Sequence, residues 1–540
     1  MTEVETLREQ LRQRGYLSHG IERWFALDPW SSRAFWAELA TVVAKAATLI
    51  ALFGSFPCVA IMLARNHPLS AVETFELFAI YAAAWFAIGF IVVIAVALLL
   101  KLRPEVAIET PRGLLAISMA TSAVLIVPLA AWWYRFDTNP TTVELITGGA
   151  LAAIFFIVST IAVSAALLSF SIYELRRIPA IHQRPRGLPL TVAAVILIAL
   201  LFVPAYATPE RNEAPPLQVV TTPTPYSVVL IAVDGLTYEL ALARPDLVGA
   251  SVIAPVNPIP GASAPERWAS VGTGVPPSLH RVHAVDGVRL AGGSHILQSV
   301  SRADFALRDV APRVRLARGQ PLPPTVRRRD YVWEILAGRG IPSVSVNWWT
   351  TDDSRIGALD SVSQTPIFAA ATRARTSADS AAIRVDEAAS HRLIAEVERT
   401  RPRFATVYLP ALDIILNRLQ FDPATRLAAS VRALENVRNT IERMRRFGHV
   451  ILIGLPGEGQ SGRPVIGSDL PMTKTPSSAF DVAPTVYTLL GFPASDEMPG
   501  KTLSGSSPRI ATYGPRNATT TQTKVNEEYY DTLKSLGYIR

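Results

Sequence analysis

The sequence predicts two structural classes in one chain. The first is an α-helical membrane domain with five spans, and the second is an α/β domain whose mostly parallel sheet is covered by helices on both faces. Of the 540 residues, 49% are hydrophobic and 18% are charged, which is more apolar than a soluble domain can bury. Long apolar stretches fill the first 207 residues, and short β-branched runs alternate with amphipathic helical patterns after residue 225.

Each apolar stretch in the N-terminal part has roughly the 20 residues that a helix needs to cross about 30 Å of hydrocarbon. Buried helices of a soluble domain would show polar positions at helical spacing, and these stretches do not. We therefore predict a five-span domain at 40–207, preceded by a cytoplasmic arm at 1–39. The predicted spans are 40–64, 77–100, 113–134, 145–170 and 188–207.

Lysine and arginine are distributed unequally between the two ends of these spans. The N-terminal arm and the second and fourth loops together carry twelve, whereas the first and third loops carry only Arg65 and Arg135. The positive-inside rule therefore places the N-terminus in the cytoplasm, and five crossings place the rest of the chain outside. We predict a multi-pass protein of the plasma (inner) membrane, surrounded by the lipid bilayer, with an extracytoplasmic (periplasmic) C-terminal domain.

Charge and cysteine content exclude several other classes of protein. Much of the net charge of +8 comes from the basic residues at one end of the spans, which orient the chain in the membrane. No nucleic-acid partner is therefore predicted. Cys58, the single cysteine, excludes a disulfide framework and a cysteine-rich zinc site. Residues 208–225 contain five prolines and predict an extended linker before the α/β domain at 226–540.

Two aspartates follow predicted strands of the α/β domain. β-branched runs predict strands at 228–233, 343–346, 405–409 and 450–453. Asp234 directly follows the first of these runs, and Asp413 follows the third. Because ligands of open α/β sheets bind beyond the carboxyl ends of the strands, both are candidate metal ligands. An aspartate there can equally cap a turn or a helix, and spacing alone does not decide between the two roles.

Six segments of this domain carry short motifs that follow one another along the chain: 228–235, 265–280, 346–350, 407–413, 481–491 and 536–539. Together they resemble the alkaline phosphatase superfamily, in particular its type I phosphodiesterase/nucleotide pyrophosphatase and sulfatase-like branch. The resemblance implies a hydrolase or transferase fold for phosphate or sulfate esters. Five spans followed by an outward-facing domain of this kind also resemble the plan of envelope phosphoglycerol and phosphoethanolamine transferases.

The resemblance implies a Ser, Thr or modified Cys nucleophile and, in most phosphate-transferring members, a pair of divalent metals held by Asp and His. One metal lowers the pKa of the nucleophile and the other stabilises the leaving oxygen. Asp234 and Asp413 match two ligand positions. Counting back from Thr273 places the nucleophile at Ala264, with Ser263 one residue early.

Other positions of the resemblance also lack the residues that this chemistry needs. The family's Asp-x-x-x-His pair becomes Asp413 and Asn417, which puts an amide in place of an imidazole. The family's Ser-Asp-His-Gly motif is replaced by Gly-Leu-Pro-Gly at 454–457, so that Leu455 and Pro456 lie where two ligands are expected. No histidine lies between 458 and 481, where a later ligand belongs.

The sequence therefore predicts a pseudoenzyme: a membrane-anchored relative that keeps the fold, has lost catalysis, needs no cofactor, and acts as a binding or regulatory component of the cell envelope. An envelope protein is then the expected partner.

The alternative is an active phosphodiesterase or phosphotransferase acting on an envelope or lipid-headgroup phosphoester with Zn²⁺, Mn²⁺ or Mg²⁺. There, Ser263 would be the nucleophile, and Asp352 or Asp353 would join Asp234 and Asp413 as ligands. A third hypothesis treats the exported domain as a binding module and the spans as the functional part, for instance in a transporter or an assembly scaffold. The spans contain few ionisable residues, so a transport pathway is poorly supported.

Overall fold

The computed structural model describes residues 33–66, 69–102, 111–136, 142–171, 198–203, 219–248, 252–260, 262–298, 304–372, 378–457, 459–470, 472–516 and 527–538, with isolated residues at 6, 10, 13, 192, 195 and 196. The chain divides into two compact units. One comprises 1–210 together with 288–319, and the other comprises 211–287 together with 320–540. The assignment of 288–319 to the first unit was not foreseen from the sequence.

Four long apolar helices form most of the first unit. Each contains a stretch of 22 to 29 residues that is apolar enough to cross a membrane, so the first four predicted spans are confirmed as helices of sufficient length and apolar composition. The fifth predicted span, 188–207, lies mostly outside the described residues, so five spans are not confirmed. The prolines of the predicted linker before residue 219 also lie outside them. The four helices are α1 Arg33–Arg65, α2 Ala71–Leu102, α3 Pro111–Phe136 and α4 Thr142–Ser171.

Strands and helices alternate along the second unit, as predicted for an α/β domain. All four predicted strands are confirmed, and they correspond to β1, β6, β9 and β10. The strands of the chain are β1 Val228–Asp234, β2 Val252–Pro255, β3 Asp286–Leu290, β4 Ile296–Leu297, β5 Ala317–Pro321, β6 Ser343–Val346, β7 Ser354–Ile356, β8 Leu359–Val362, β9 Phe404–Leu409, β10 His449–Leu455, β11 Val465–Ser468, β12 Ala494–Ser495 and β13 Arg509–Ile510. Strand β4, most of β3 and β5, and the short helix Ala311–Arg313 lie in the 288–319 segment of the first unit.

Short helices connect these strands, and two long ones pack on the main sheet. The helices are α5 Tyr238–Ala243, α6 Pro245–Val248, α7 Ala264–Thr273, α8 Pro277–His280, α9 Ala311–Arg313, α10 Val332–Gly338, α11 Gln364–Thr372, α12 Ala378–Thr400, α13 Ala411–Asp413, α14 Pro423–Met444, α15 Val482–Leu489 and α16 Glu527–Ser535. Helix α12 packs on β6 and β9, and α14 packs on β1 and β10. Single turns of π-helix occur at Ala306–Val310 and Ile414–Arg418, and 3₁₀ turns occur at Pro324–Val326 and Ala479–Asp481.

The main sheet has eight strands in the order β2-β11-β10-β1-β9-β6-β8-β7, and the prediction that it is mostly parallel is wrong. It is mixed, since β10, β1, β9, β6 and β8 pair in parallel and β11, β2 and β7 form antiparallel ladders at the edges. The lengths of the connections between strands explain why the edge strands are antiparallel. Only 456–464 join β10 to β11, and only 357–358 join β7 to β8, which is too short for a parallel crossover.

Strand β1 lies at the centre of the sheet between β10 and β9. All seven of its residues are buried, and since alternate side chains point to opposite faces, both faces of the sheet are covered at this strand. The parallel register pairs Val228 with His449 at one end and Asp234 with Leu455 at the other. The carboxyl ends of β1, β9 and β10 therefore meet at one edge, where the candidate site lies.

Candidate functional site

Asp234 and Asp413 are brought together at the carboxyl end of the sheet. Asp234 is the last residue of β1, and Asp413 ends the short helix α13 that follows β9. Between them, Gly235 has φ +85° and lies so close that a Cβ atom would be 2.6 Å from the backbone nitrogen of Asp413. Only glycine tolerates both the backbone conformation and this close approach. The two aspartates predicted from the sequence thus belong to one site.

Both carboxylate oxygens of Asp413 accept hydrogen bonds from protein side chains. The Nε of Arg418 donates to Oδ2, and the Nδ2 of Asn417 donates to Oδ1 at 3.0 Å. The ion pair is deeply buried, since the side chains of Arg418 and Asp413 are 4% and 0% exposed. A guanidinium group therefore supplies the positive charge that faces this carboxylate.

A π-helical turn brings Asp413 and Arg418 together. Residues Ile414–Arg418 form this turn, in which the amide of Leu419 donates to the carbonyl of Ile414 at 3.1 Å. In a regular α-helix, residues four apart share a face, whereas the wider π turn aligns residues five apart. Asn417 therefore reaches one oxygen of Asp413 and Arg418 reaches the other.

The C-terminal tail covers the buried arginine. The guanidinium of Arg418 lies 4.1 Å from the centroid of the Tyr538 ring, and that ring packs edge-on against Trp349. A cation over an aromatic face in a desolvated setting is stabilised by about 2 kcal/mol. The tail thus holds the guanidinium in place beside Asp413.

Asp234 is buried and incompletely paired. Its Oδ2 accepts a hydrogen bond from the hydroxyl of Tyr408 at 2.6 Å, and its Oδ1 has no hydrogen-bond partner among the described residues. Burial, and next the nearby charge of Asp413, raise the pKa of Asp234 to about 7. Asp234 is therefore partly protonated near neutral pH.

The loop after β10 closes the site with apolar and neutral groups. Leu455 and Pro456 are buried, and the carbonyl of Leu455 accepts from the amide of Gly235 at 2.8 Å. The Oε1 of Gln460 accepts from the amide of Gly457 at 2.8 Å and from Nδ2 of Asn417 at 3.3 Å. Gly457 lies against the carboxylate, because a Cβ there would be 1.9 Å from Oδ1 of Asp413. The space beside Asp413 is filled by protein.

Ser263 lies at the start of α7 and is exposed, and Ala264 is buried as the first residue of that helix. The hydroxyl of Ser263 donates to the carbonyl of His283 at 3.2 Å, and its amide donates to the Glu266 carboxylate at 2.7 Å. The second of these contacts, to the carboxylate three residues further on, is typical of a residue at a helix N-terminus. They do not connect Ser263 to Asp234 or Asp413, so its role as a nucleophile stays a prediction.

The remaining candidate residues lie in ordinary structural settings. Asp353 is exposed, and its Oδ1 accepts from the amide of Ser363 at 2.8 Å, which is a turn-capping contact. His280 is buried, and its Nδ1 accepts from the amide of Val282 at 3.1 Å, while burial lowers its pKa to about 3. His449 begins β10, at the end of the sheet opposite Asp234. Asp352 adjoins Asp353 in the same segment after β6.

These residues do not fit a binuclear metal centre. Two divalent ions need about six oxygen or nitrogen ligands, and here Asn417 and Arg418 use both oxygens of Asp413. Across the described part of the chain, no group of three or more His, Cys, Asp and Glu side chains is placed to hold a metal ion. Among the described residues of this region, two carboxylate oxygens are buried without a hydrogen-bond partner, Oδ1 of Asp234 and Oδ2 of Asp386, whose Oδ1 accepts from the amide of Ala411.

Four residues that complete the site were not predicted from the sequence: Arg418, Tyr408, Tyr538 and Gln460. Arg418 is the most important of these residues. Its indication in the sequence is that it is a single basic residue in the apolar stretch 414–419, immediately after Asn417. Tyr538 lies in a C-terminal segment that had been matched only as a motif. For Gln460, no periodicity or motif in the sequence indicates a role.

No family model matches the chain, and no curated protein matches it either. Among solved structures, phosphonoacetate hydrolase from Sinorhizobium meliloti 1021 is similar at 13% identity, over 44% of this chain and 60% of that chain, with a TM-score of 0.29. Human ectonucleotide pyrophosphatase/phosphodiesterase 5 is similar at 12% identity, over 51% of this chain and 97% of that chain, with a TM-score of 0.34. The murine protein gives 9% identity with the same coverage and TM-score. Scores this low support no functional conclusion.

Proposed function

We propose that this chain is a membrane-embedded pseudoenzyme. Its α/β domain has an alkaline-phosphatase-like fold that no longer carries out phosphoester chemistry, and the domain serves as a binding or regulatory component of the cell envelope. The proposal rests on the motifs of residues 228–539 for the fold and on the site geometry for the loss of chemistry. Its expected partner is an envelope protein.

The observation that carries the proposal is the buried ion pair between Arg418 and Asp413. Asp413 occupies a position that the resemblance assigns to a metal ligand, and the guanidinium satisfies the carboxylate there. A guanidinium cannot lower the pKa of a bound hydroxyl or accept a leaving oxygen as a divalent metal does. It can stabilise the buried carboxylate of Asp413 and so help to maintain the fold.

The charge balance of the cluster supports the same conclusion. The ion pair is neutral as a whole, and Asp234 carries a raised pKa of about 7. The Arg418–Asp413 pair therefore resembles a buried structural salt bridge.

We propose that the N-terminus is cytoplasmic and the α/β domain extracytoplasmic, in the plasma (inner) membrane. The excess of basic residues at one end of the spans supports this orientation. The contacts of residues 288–319 support it as well, because the segment binds the end of the helices where the first and third loops begin. Those loops carry few basic residues and are expected outside.

The alternative function is an active metal-dependent phosphodiesterase or phosphotransferase that uses Ser263. One observation favours it: the Oδ1 atom of Asp234 is buried without a partner among the described residues. An unpaired buried acceptor calls for an explanation, and a bound ion or a catalytic role is one such explanation. The alternative requires ligands that the described residues do not assemble, so it remains second.

Turnover measurements distinguish the two functions. We expect the full chain, purified in detergent, to hydrolyse neither bis(p-nitrophenyl) phosphate nor p-nitrophenyl phosphate above background when Zn²⁺, Mn²⁺ or Mg²⁺ is supplied. Ser263→Ala should behave like the parent chain. As a matched control, Ser506→Ala removes another exposed hydroxyl. Metal-dependent turnover that Ser263→Ala abolishes and Ser506→Ala retains would establish the enzyme instead.

A further inference from the structure

Residues 288–319 are attached to the membrane helices by polar contacts at several points. The buried carboxylate of Glu73 in α2 accepts from the amide of His295 at 2.8 Å and contacts its Nδ1 at 2.8 Å. The amide of Gly292 donates to Glu76 at 2.9 Å, and the amide of Gln298 donates to Oδ1 of Asn66 at 2.7 Å. Most of these bonds use backbone amides of the segment, so they fix its path along the helix ends.

The deepest attachment is made by Asp304, which is buried between two membrane helices. Its Oδ2 accepts from the hydroxyl of Tyr81 in α2 and from Nε1 of Trp132 in α3, the latter at 2.7 Å. Its Oδ1 accepts from the amide of Leu307 at 2.9 Å and so caps the helical turn that follows. Burial raises the pKa of Asp304. The segment is therefore anchored to α2 and α3 and does not merely lie beside them.

All these contacts lie towards one end of the helices. Asn66 immediately follows α1, Glu73 and Glu76 are in the first two turns of α2, and Trp132 is in the last two turns of α3. Since only residues 66–70 separate α1 from α2, the end of α1 and the start of α2 lie together. Helices that cross a bilayer have their ends in the headgroup region, so the segment lies at a membrane–water interface.

The outer surface of this segment is both apolar and basic. Phe305, Val310, Val314 and Leu316 are 47%, 47%, 58% and 47% exposed. Between and after them come Arg313, Arg315 and Arg318, which are also exposed. The exposed part also carries one acidic residue, Asp309, so its net charge is positive.

We propose that residues 305–318 form a binding surface for anionic phospholipid headgroups of the bilayer that the chain's own helices cross. The apolar side chains insert at the boundary between headgroups and acyl chains, and the arginines bind lipid phosphate. The inference goes beyond the loss of catalysis and does not depend on it. It depends only on the membrane placement of α1–α4.

The chemistry of this surface matches a lipid interface. A guanidinium binds phosphate through two parallel hydrogen bonds, while its aliphatic stem lies along apolar surface. Exposed Phe, Val and Leu side chains are unfavourable in water and favourable about 5–10 Å below the headgroups. The attachment of the segment at Asp304 and Glu73 keeps both kinds of side chain at the correct depth without further ordering of the chain.

A fluorescence experiment on the full chain tests the position of the segment. In a Cys58→Ala background, Val314→Cys is labelled with an environment-sensitive fluorophore and reconstituted in nanodiscs. Lipids spin-labelled close to the headgroup should quench this fluorophore strongly. The same labelled protein with lipids spin-labelled at the end of the acyl chain provides the matched control and should be quenched weakly, because the segment is expected near the headgroups. Equal quenching by the two lipids would overturn the proposal.

A second arm tests the chemistry of the ligand. Phosphatidylglycerol is titrated into the labelled protein in micelles, with phosphatidylcholine as the neutral comparison. The triple variant Arg313→Glu/Arg315→Glu/Arg318→Glu should bind phosphatidylglycerol roughly tenfold or more weakly, because each basic residue adds attraction to an anionic interface. The matched control Arg432→Glu/Arg443→Glu/Arg446→Glu reverses three exposed arginines of the other unit and should leave binding unchanged. Equal affinity of the triple variant and the parent would refute headgroup binding, even if Val314 were quenched.

Discussion

Replacing Arg418 with methionine is expected to destabilise the α/β domain by about 3–5 kcal/mol, because it leaves the carboxylate of Asp413 buried and without its cation. Methionine retains much of the side-chain volume, so the loss of stability reflects the missing charge and not a new cavity. The measurement is urea unfolding of the full chain in detergent, followed through the fluorescence of the buried residues Trp268, Trp333 and Trp348.

A surface ion pair supplies the matched control for this substitution. Arg463 pairs with Glu239 at 2.9 Å, but the two side chains are 57% and 50% exposed. Arg463→Met should therefore change stability by less than about 1 kcal/mol. The double variant Asp413→Asn/Arg418→Met should recover part of the lost stability, because no charge is then left unpaired. If Arg418→Met is as stable as the parent, the salt bridge does not hold the site together.

Replacing Asp234 with asparagine is expected to stabilise the domain, and to do so more strongly as pH rises. The pKa of Asp234 is raised to about 7 in the folded state, above its value near 4 in the unfolded state. Protonation therefore stabilises the parent fully below pH 4, and this contribution is lost as pH rises through 7. Relative to the parent, Asp234→Asn should gain about 2–3 kcal/mol between pH 5 and pH 8.

The amide of asparagine can still accept the hydrogen bond from Tyr408, so the substitution changes mainly the charge. Asp353→Asn is the control, because that carboxylate is exposed. It should show no comparable pH-dependent gain. A pH-independent difference between Asp234→Asn and the parent would mean that Asp234 is ionised throughout this range, as expected for a carboxylate that holds a metal.

The spans and central strands could be predicted because their signal is local. Long apolar stretches give α1 to α4, and the β-branched runs give β1, β6, β9 and β10. The antiparallel edges were not predicted because the direction of a strand depends on the length of its connection, and the described residues of 456–464 contain no helix. A sheet assembled from strand signals alone therefore seemed more parallel than it is.

The site was predicted only in part because its charges pair through irregular and distant structure. Asp234 and Asp413 follow strands, and that position indicated them from the sequence alone. Arg418 was missed because motif spacing compares Asp413 with the residue four positions later, whereas the π turn aligns it with the fifth. Equally, the contact between Glu73 and His295 joins residues 222 positions apart, and no local pattern indicates it.

The loss of metal-dependent chemistry at the Asp234–Asp413 site is the central claim of this account. The measurement that tests it most directly is the divalent-metal content of the full, untagged chain, by elemental mass spectrometry after dialysis against zinc-containing and then metal-free buffer. The expected result is no tightly bound metal, because Arg418 occupies the place of a cation beside Asp413. About two metals per chain, as a binuclear phosphoester site requires, would contradict the account.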